Sequence, residues 1–310
     1  MMAVNQLNHC RPRSLGLPSL RRLISFSAVS GTIVLLFSTP AFAHRVEKRF
    51  SVEMRPVVAI QNSYGKIQVK SWNRSEVLVV AEHVSDKVEV DAEAMGGRIE
   101  VTTHFLSSTL TAAEKKAEYT ITVPEEAELQ IKNDEGNIIV ERVSGDLTFE
   151  TVASDVQLSE VAGYILVKTV GGSLLCVRCA GRLEVETISG NLKFVQPVSN
   201  NVRAKTYSGS IFFDGDFLAG GFYNLRTTTG SIEVRYTDSD SFDLRAGSSQ
   251  GKLDIPPDLN FRPPSHSRGQ TSLSASPAGS ANRFRGSFGS GAARVDLSTF
   301  SGTITLRKRQ

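Results

Sequence analysis

From Gly136 to Val198 the apolar positions recur every nine residues, in seven units that begin at Gly136, Gly145, Ser154, Gly163, Gly172, Gly181 and Gly190. The third, fifth and eighth positions of a unit are apolar, as in Ile138, Val140 and Val143, or Ile165, Val167 and Val170. Only Pro197 breaks the rule. Apolar residues two apart give a short strand one inward face. The Gly that follows suits a corner with positive φ, although Ser154 in one such slot relaxes that demand. Strand plus corner in fixed register predicts a β-solenoid, with all three apolar positions of each unit inside. A helix is excluded, because its apolar stripe needs a period near 3.6.

The polar positions set the length of one coil. Glu150, Lys168, Glu186, Lys205 and Arg226 form one column, and Arg142, Glu160 and Arg178 a second. A third is Thr151, Thr169, Thr187, Thr206, Thr227 and Thr299, each three residues before a Gly or Ser. The columns start with a spacing of 18 residues, and their charges alternate as neighbouring rungs of a parallel sheet prefer. After Pro197 the spacing grows, with Gly209, Gly230 and Gly251 at intervals of 19, 21 and 21. The predicted fold class is all-β: a parallel β-solenoid with coils of about 18–21 residues and two strands per coil, capped by an N-terminal β region.

Along the chain, residues 44–126 alternate less regularly and read as the N-terminal β region or cap, although Gly65-Lys66-Ile67-Gln68-Val69 already carries the core of the repeat. Residues 127–255 are the regular solenoid. In 256–291 about half of the residues are Pro, Gly or Ser, with Arg262, Arg268, Arg283 and Arg285 against one acid, Asp258. That composition predicts a flexible excursion. Residues 292–310 return to the pattern as a final coil.

Residues 1–43 read as an export signal. Arg11, Arg13, Arg21 and Arg22 precede an apolar run from Leu23 to Phe37, and Ala41-Phe42-Ala43 is an A-x-A cleavage site. Arg21-Arg22 leaves general and twin-arginine secretion both open. The expected destination is the periplasm or the cell surface, with no transmembrane segment once the signal is removed. Removal also takes away the basic balance: the 35 Lys+Arg lose these four, leaving 31 against 32 Asp+Glu. A near-neutral chain has no overall electrostatic footprint for nucleic acid.

The run of T-x-S-G-x-I-x-V units resembles the bacterial DUF4097 family of β-strand-repeat proteins, whose members are named candidate adhesins. The units are Thr187 to Phe194, Thr206 to Phe213 and Thr299 to Leu306, and the strand Ile121 to Pro124 precedes the regular coils. The similarity extends to Asn62 through Val69 and covers nearly all of the chain after the signal. The resemblance implies an exported or surface-exposed parallel β-solenoid, and it brings no catalytic residues. The excursion at 256–291 departs from it.

Candidate chemistry is sparse. Cys176 and Cys179 have C-x-x-C spacing but occupy inward slots of a strand and corner, not the helix start that a redox dithiol uses. Two readings stay open: buried thiols serving as small apolar side chains, or a local disulfide if the corner brings the Cα atoms within about 7 Å. His44, His83, His104 and His266 are scattered, without a nucleophile in a recognisable motif. Asp214, Asp216, Asp238 and Asp240 lie at lengthened corners one coil apart, near Arg235. They are candidate calcium ligands, or acids for polysaccharide cleavage, although Asp also favours corners for turn reasons alone. The Thr column would suit ice only as a flat, water-facing array, and here charged residues flank it.

These readings point to an exported, non-enzymatic solenoid without a cofactor, serving as an adhesin-like binding or structural protein of the cell envelope or surface. Its expected partner is an envelope or surface polysaccharide or protein, with the four arginines of the excursion facing anionic envelope polymer. The alternatives are a carbohydrate-active β-helix enzyme working at the acidic corner, and an envelope-stress sensor with a membrane protein partner.

Overall fold

In a computed structural model of the chain, the described residues are 44–256 and 282–309. Residues 1–43, which read as an export signal, residues 257–281 with Arg262, Arg268 and His266, and Gln310 lie outside them. The described residues contain strands and no helix, and none is a helix long and apolar enough to cross a membrane.

The nine-residue unit is half a coil. Each coil gives one strand to each of two parallel sheets, and inward side chains from both fill the space between them. In coil 144–159 the inward residues Leu147, Phe149, Val156 and Leu158 are all buried. Register is exact to the residue: Ile131, Phe149, Val167 and Val185 are successive neighbours across adjacent strands. The first coil, 57–72, pairs along nearly its whole length with Glu128–Glu141, so the 55 residues between them form a separate elaboration.

The two corners of a coil differ, and this corrects the expectation that every eighth-position side chain is inside. At one corner Val143, Val161 and Cys179 are buried. There the preceding residue, Arg142, Glu160 or Arg178, takes φ of 56°, 57° or 50° and folds the next side chain inward. At the other corner Val152, Val170 and Ile188 are about half exposed. The Thr before them goes in instead. Its Oγ1 accepts the backbone N–H of the Gly three residues on, at 3.1 Å in Thr169–Gly172 and 3.0 Å in Thr206–Gly209. Thr206, Thr227 and Thr299 also donate to the Gly carbonyl of the neighbouring coil, as from Thr227 to Gly209 at 2.9 Å, whereas Thr151, three residues before Ser154, has no partner for its hydroxyl among the described residues. The Thr column is therefore buried hydrogen-bonding structure, closed to water, and a water-facing array is excluded. Towards the N-terminus Asn takes over: Asn62 Nδ2 donates to Asn133 Oδ1 at 3.0 Å, and Asn133 Nδ2 to Ser154 Oγ at 2.8 Å.

Antiparallel strands cap both sheets at the N-terminal end of the stack and one sheet at the other end. Below the first coil, Arg98–Phe105 and Ala117–Pro124 continue the two sheets in parallel. Val88–Met95 and Glu76–His83 then turn antiparallel to them, and His44–Ser51 adds to the latter. At the other end Asn282–Phe288 runs antiparallel to Phe242–Ser248. That strand lies within the stretch whose composition suggested a flexible excursion. Its anchor is aromatic: Phe288 packs on Tyr236 and Phe242 with ring centroids 5.3 and 5.4 Å apart.

The coil that ends the sequence does not end the stack. Ala293–Thr299 lies between Phe222–Arg226 and Phe242–Ser248, and Ile304–Lys308 lies between Ile232–Tyr236 and Leu253–Asp254. The chain thus leaves one rung open after Tyr236, builds the rung beyond it, and returns from the C-terminus to fill the gap.

Val167→Asp should remove cooperative unfolding or lower stability by more than about 3 kcal/mol, because it buries a charge with no partner. Lys168→Gln, one residue away and outward, should change it by less than about 0.5 kcal/mol. Urea titration followed by circular dichroism separates the two outcomes.

Candidate functional site

The four corner aspartates are adjacent in the fold, but cations and backbone already engage them. Arg309 donates from Nε to Asp214 at 2.6 Å and from Nη1 to Asp216 at 2.9 Å. Arg235 stands 4.0 Å from the other oxygen of Asp214. Asp238 pairs with Lys308 at 2.5 Å. Asp240 is buried and turned inward, accepting the backbone N–H groups of Phe217 at 2.8 Å and Thr237 at 2.6 Å. Partial burial works against the charge of Arg309, but the hydrogen bonds it donates to Asp216 and Asp214 outweigh that and hold its pKa above the ordinary guanidinium value. Lys308 and Arg309 reach this corner only because the C-terminal coil is inserted there, so local spacing gives no sign of them. Among the described residues, no group of three or more His, Cys, Asp or Glu is arranged to hold a metal ion.

Cys176 and Cys179 form a disulfide with Cα atoms 6.0 Å apart, and both side chains lie in the core. The inward placement follows the repeat. The left-handed Arg178 reverses the chain between the two residues. His44 and His83 stack at 5.3 Å near the first edge, and His104 lies 3.4 Å from Asp91.

The outward faces carry the polar columns. Lys132 pairs with Glu150 at 3.0 Å and Lys205 with Glu186 at 2.6 Å, while Arg178 pairs with Glu160 across the left-handed corners. On the Thr corner a ridge of exposed apolar side chains runs from coil to coil through Val152, Val170, Ile188 and Tyr207, and resumes at Phe300. The pattern of apolar slots contains Val152, Val170 and Ile188 but assigns them to the core.

The family model described as Toastrack DUF4097 matches residues 58–307. The chain belongs to the DUF4097 family. Its matched region runs from the first coil to the inserted one, so the whole described solenoid of this DUF4097 protein is family structure. Among solved structures, it is similar to a candidate adhesin of Bacteroides fragilis at 12% identity, covering 86% of this chain and 97% of that one, with a TM-score of 0.47. It is also similar to a candidate adhesin of Parabacteroides distasonis, at 13% identity, 87% and 98% coverage and a TM-score of 0.37. A candidate cell adhesion protein of Clostridium sporogenes gives 12%, 86%, 100% and 0.28. No curated protein matches.

Two buried phenols set a pH limit. Burial pushes Tyr119 and Tyr223 up to about 12, with hydrogen bonds to Thr103 and Leu218 only partly offsetting it. The unfolded chain ionises these groups near 10, so folding favours the neutral phenol. Stability from both tyrosines should be complete below about pH 10 and lost as pH rises towards 12. Tyr119→Phe with Tyr223→Phe should flatten that decline in denaturation midpoints. A second check concerns the cysteines: reduction of the unfolded protein should add two titratable thiols, those of Cys176 and Cys179.

Proposed function

We propose that this DUF4097 protein is an exported, non-enzymatic, adhesin-like solenoid that binds a partner of the cell envelope or surface through its outward sheet faces. One observation carries the reading. Outward side chains are presented as ladders in fixed register over nine stacked coils. The carboxylates that could have formed a reaction centre are instead neutralised by Arg309, Arg235 and Lys308 or spent on the turn at Thr237. A rigid ladder suits an extended ligand, since side chains held by a packed core need little ordering on binding. The basic and apolar composition of residues 1–43 supports export, and the names of the structural neighbours agree with a surface role.

Purified full-length protein should co-sediment saturably with isolated cell-envelope polysaccharide, and fractionation of cells should recover it outside the cytoplasm. Calcium should not strengthen the binding, because Asp214, Asp216 and Asp238 are already ion-paired. Absence of binding at micromolar protein would sink the polysaccharide reading, and cytoplasmic recovery would sink the export reading.

A further inference from the structure

The sheet that leads into the Thr corner changes sign along the stack. Its outward residues fall into three columns two residues apart. On the four lower coils, 128–133 to 182–186, these columns hold Lys132, Lys168 and Arg182 against five acids: Glu128, Asp146, Glu150, Glu184 and Glu186. Above them the balance reverses. The next coil presents Arg203 and Lys205, and the one after it Asn224 and Arg226. The inserted coil adds Arg294, and the last coil Arg245. The capping strand finishes the face with Arg283 and Arg285. Seven cations stand there against two acids, Asp296 and Asp243. Asp296 is held by Arg294 at 2.8 Å and Asp243 accepts from Ser287.

This arrangement runs against what sheet stability favours. Lys205 is the direct neighbour of Arg226, and Arg245 lies directly opposite Arg285. Like charges in those positions repel, whereas lower in the column that leads to Lys205 and Arg226 the signs alternate through Lys132, Glu150, Lys168 and Glu186. Arg203, Arg226, Arg245, Arg283 and Arg285 form no ion pair among the described residues, and all are exposed. Rungs about 4.8 Å apart and two-residue steps of about 6.6–6.8 Å place these charges in a flat array. Such an array concentrates anions.

We propose that this basic upper face is the docking surface for an anionic polysaccharide lying along the stack. The inference rests on the envelope-binding reading above and names the chemistry of its ligand. Charge complementarity selects a polyanion. The exposed rings of Tyr207 and Phe300 border the same coils on the Thr corner and offer apolar surface to the C–H faces of sugar rings. Nucleic-acid bases would need an open aromatic face within the array, but Phe222 has Arg203 5.8 Å and Arg294 5.5 Å from its ring centroid. A lipid surface would need protruding apolar side chains among the cations. Here most of the apolar ridge runs down beside Glu150 and Glu186 instead.

The test uses the intact chain, with polygalacturonate as the polyanion and neutral dextran, phosphatidylglycerol vesicles and single-stranded DNA alongside. Polygalacturonate should bind, and binding should weaken steeply with salt. The triple variant Arg203→Gln, Lys205→Gln, Arg226→Gln should lose tenfold or more in affinity and flatten the salt dependence, while Lys168→Gln binds as the parent does. The three side chains are exposed, and their repulsion offsets loss of the surface Lys205–Glu186 pair, so the triple variant should melt within a few degrees of the parent, which separates lost binding from lost fold. Equal binding by parent and triple variant would overturn the assignment, as would binding to vesicles or DNA without polygalacturonate. If the parent sediments with envelope polysaccharide but ignores polygalacturonate, the anionic assignment falls and the envelope-binding function survives. If it binds neither, both fall.

Discussion

The solenoid depends on how closely its corner backbones approach. At the Thr corner a Cβ added to Gly190, Gly209 or Gly230 would stand 1.8–1.9 Å from the carbonyl oxygen of the glycine in the coil below. No side chain fits there, so glycine is required by contact and not by φ. That contact brings the hydroxyls of Thr206, Thr227 and Thr299 within reach of two backbone groups, one in their own coil and one in the next. Burying a hydroxyl costs free energy unless it is hydrogen-bonded, and this geometry supplies both partners. A slip of one residue would reverse every inward side chain and also break the ladder. Hydrophobic alternation and corner chemistry therefore specify the same register, and agreement between levels favours a single native arrangement.

Much of this could be read from the sequence, because a repeat of nine is a local signal. Two-residue alternation gave the strands, and the charge columns gave two strands per coil. The eighth position misled because Val143 and Val152 are chemically alike although one is buried and the other exposed. The difference lies with their predecessors: Arg142 turns left-handed, whereas Thr151 turns its side chain inward. Thr three residues before Gly was visible in every copy, and its side-chain-to-backbone bonding explains it better than strand propensity does.

The inserted coil was not legible for a different reason. Residues 293–308 have the same pattern as any other coil, and a repeat does not state which rung it occupies. Their place follows from contacts made across some seventy residues of sequence, as between Phe222–Arg226 and Ala293–Thr299. The consequences are specific. Lys308 and Arg309 reach the acidic corner, and Arg294 reaches the middle of the basic face, so neither site exists in final form until the end of the chain has docked. Non-local closure of this kind is slow to form relative to neighbouring coils. The upper third of the stack is thus coupled to the C-terminus, while the coils from Glu128 to Thr206 are completed by neighbours close in sequence.

A solenoid separates what stabilises it from what it displays. Stability arises from inward residues and corner bonds that each coil shares only with its neighbours. Outward columns are left free to depart from the best pairing at modest local cost, and the sign change between Glu186 and Arg226 is such a departure. In a compact enzyme an unpaired cluster of arginines would be attributed first to a cleft. Here no cleft is needed, because the flat sheet presents them all at once. The acidic corner makes the converse point: its four aspartates look chemical in sequence, yet the fold spends them on Arg309, Lys308 and a turn. Charges left without partners, rather than residue types that could do chemistry, are what mark the proposed docking face of this fold.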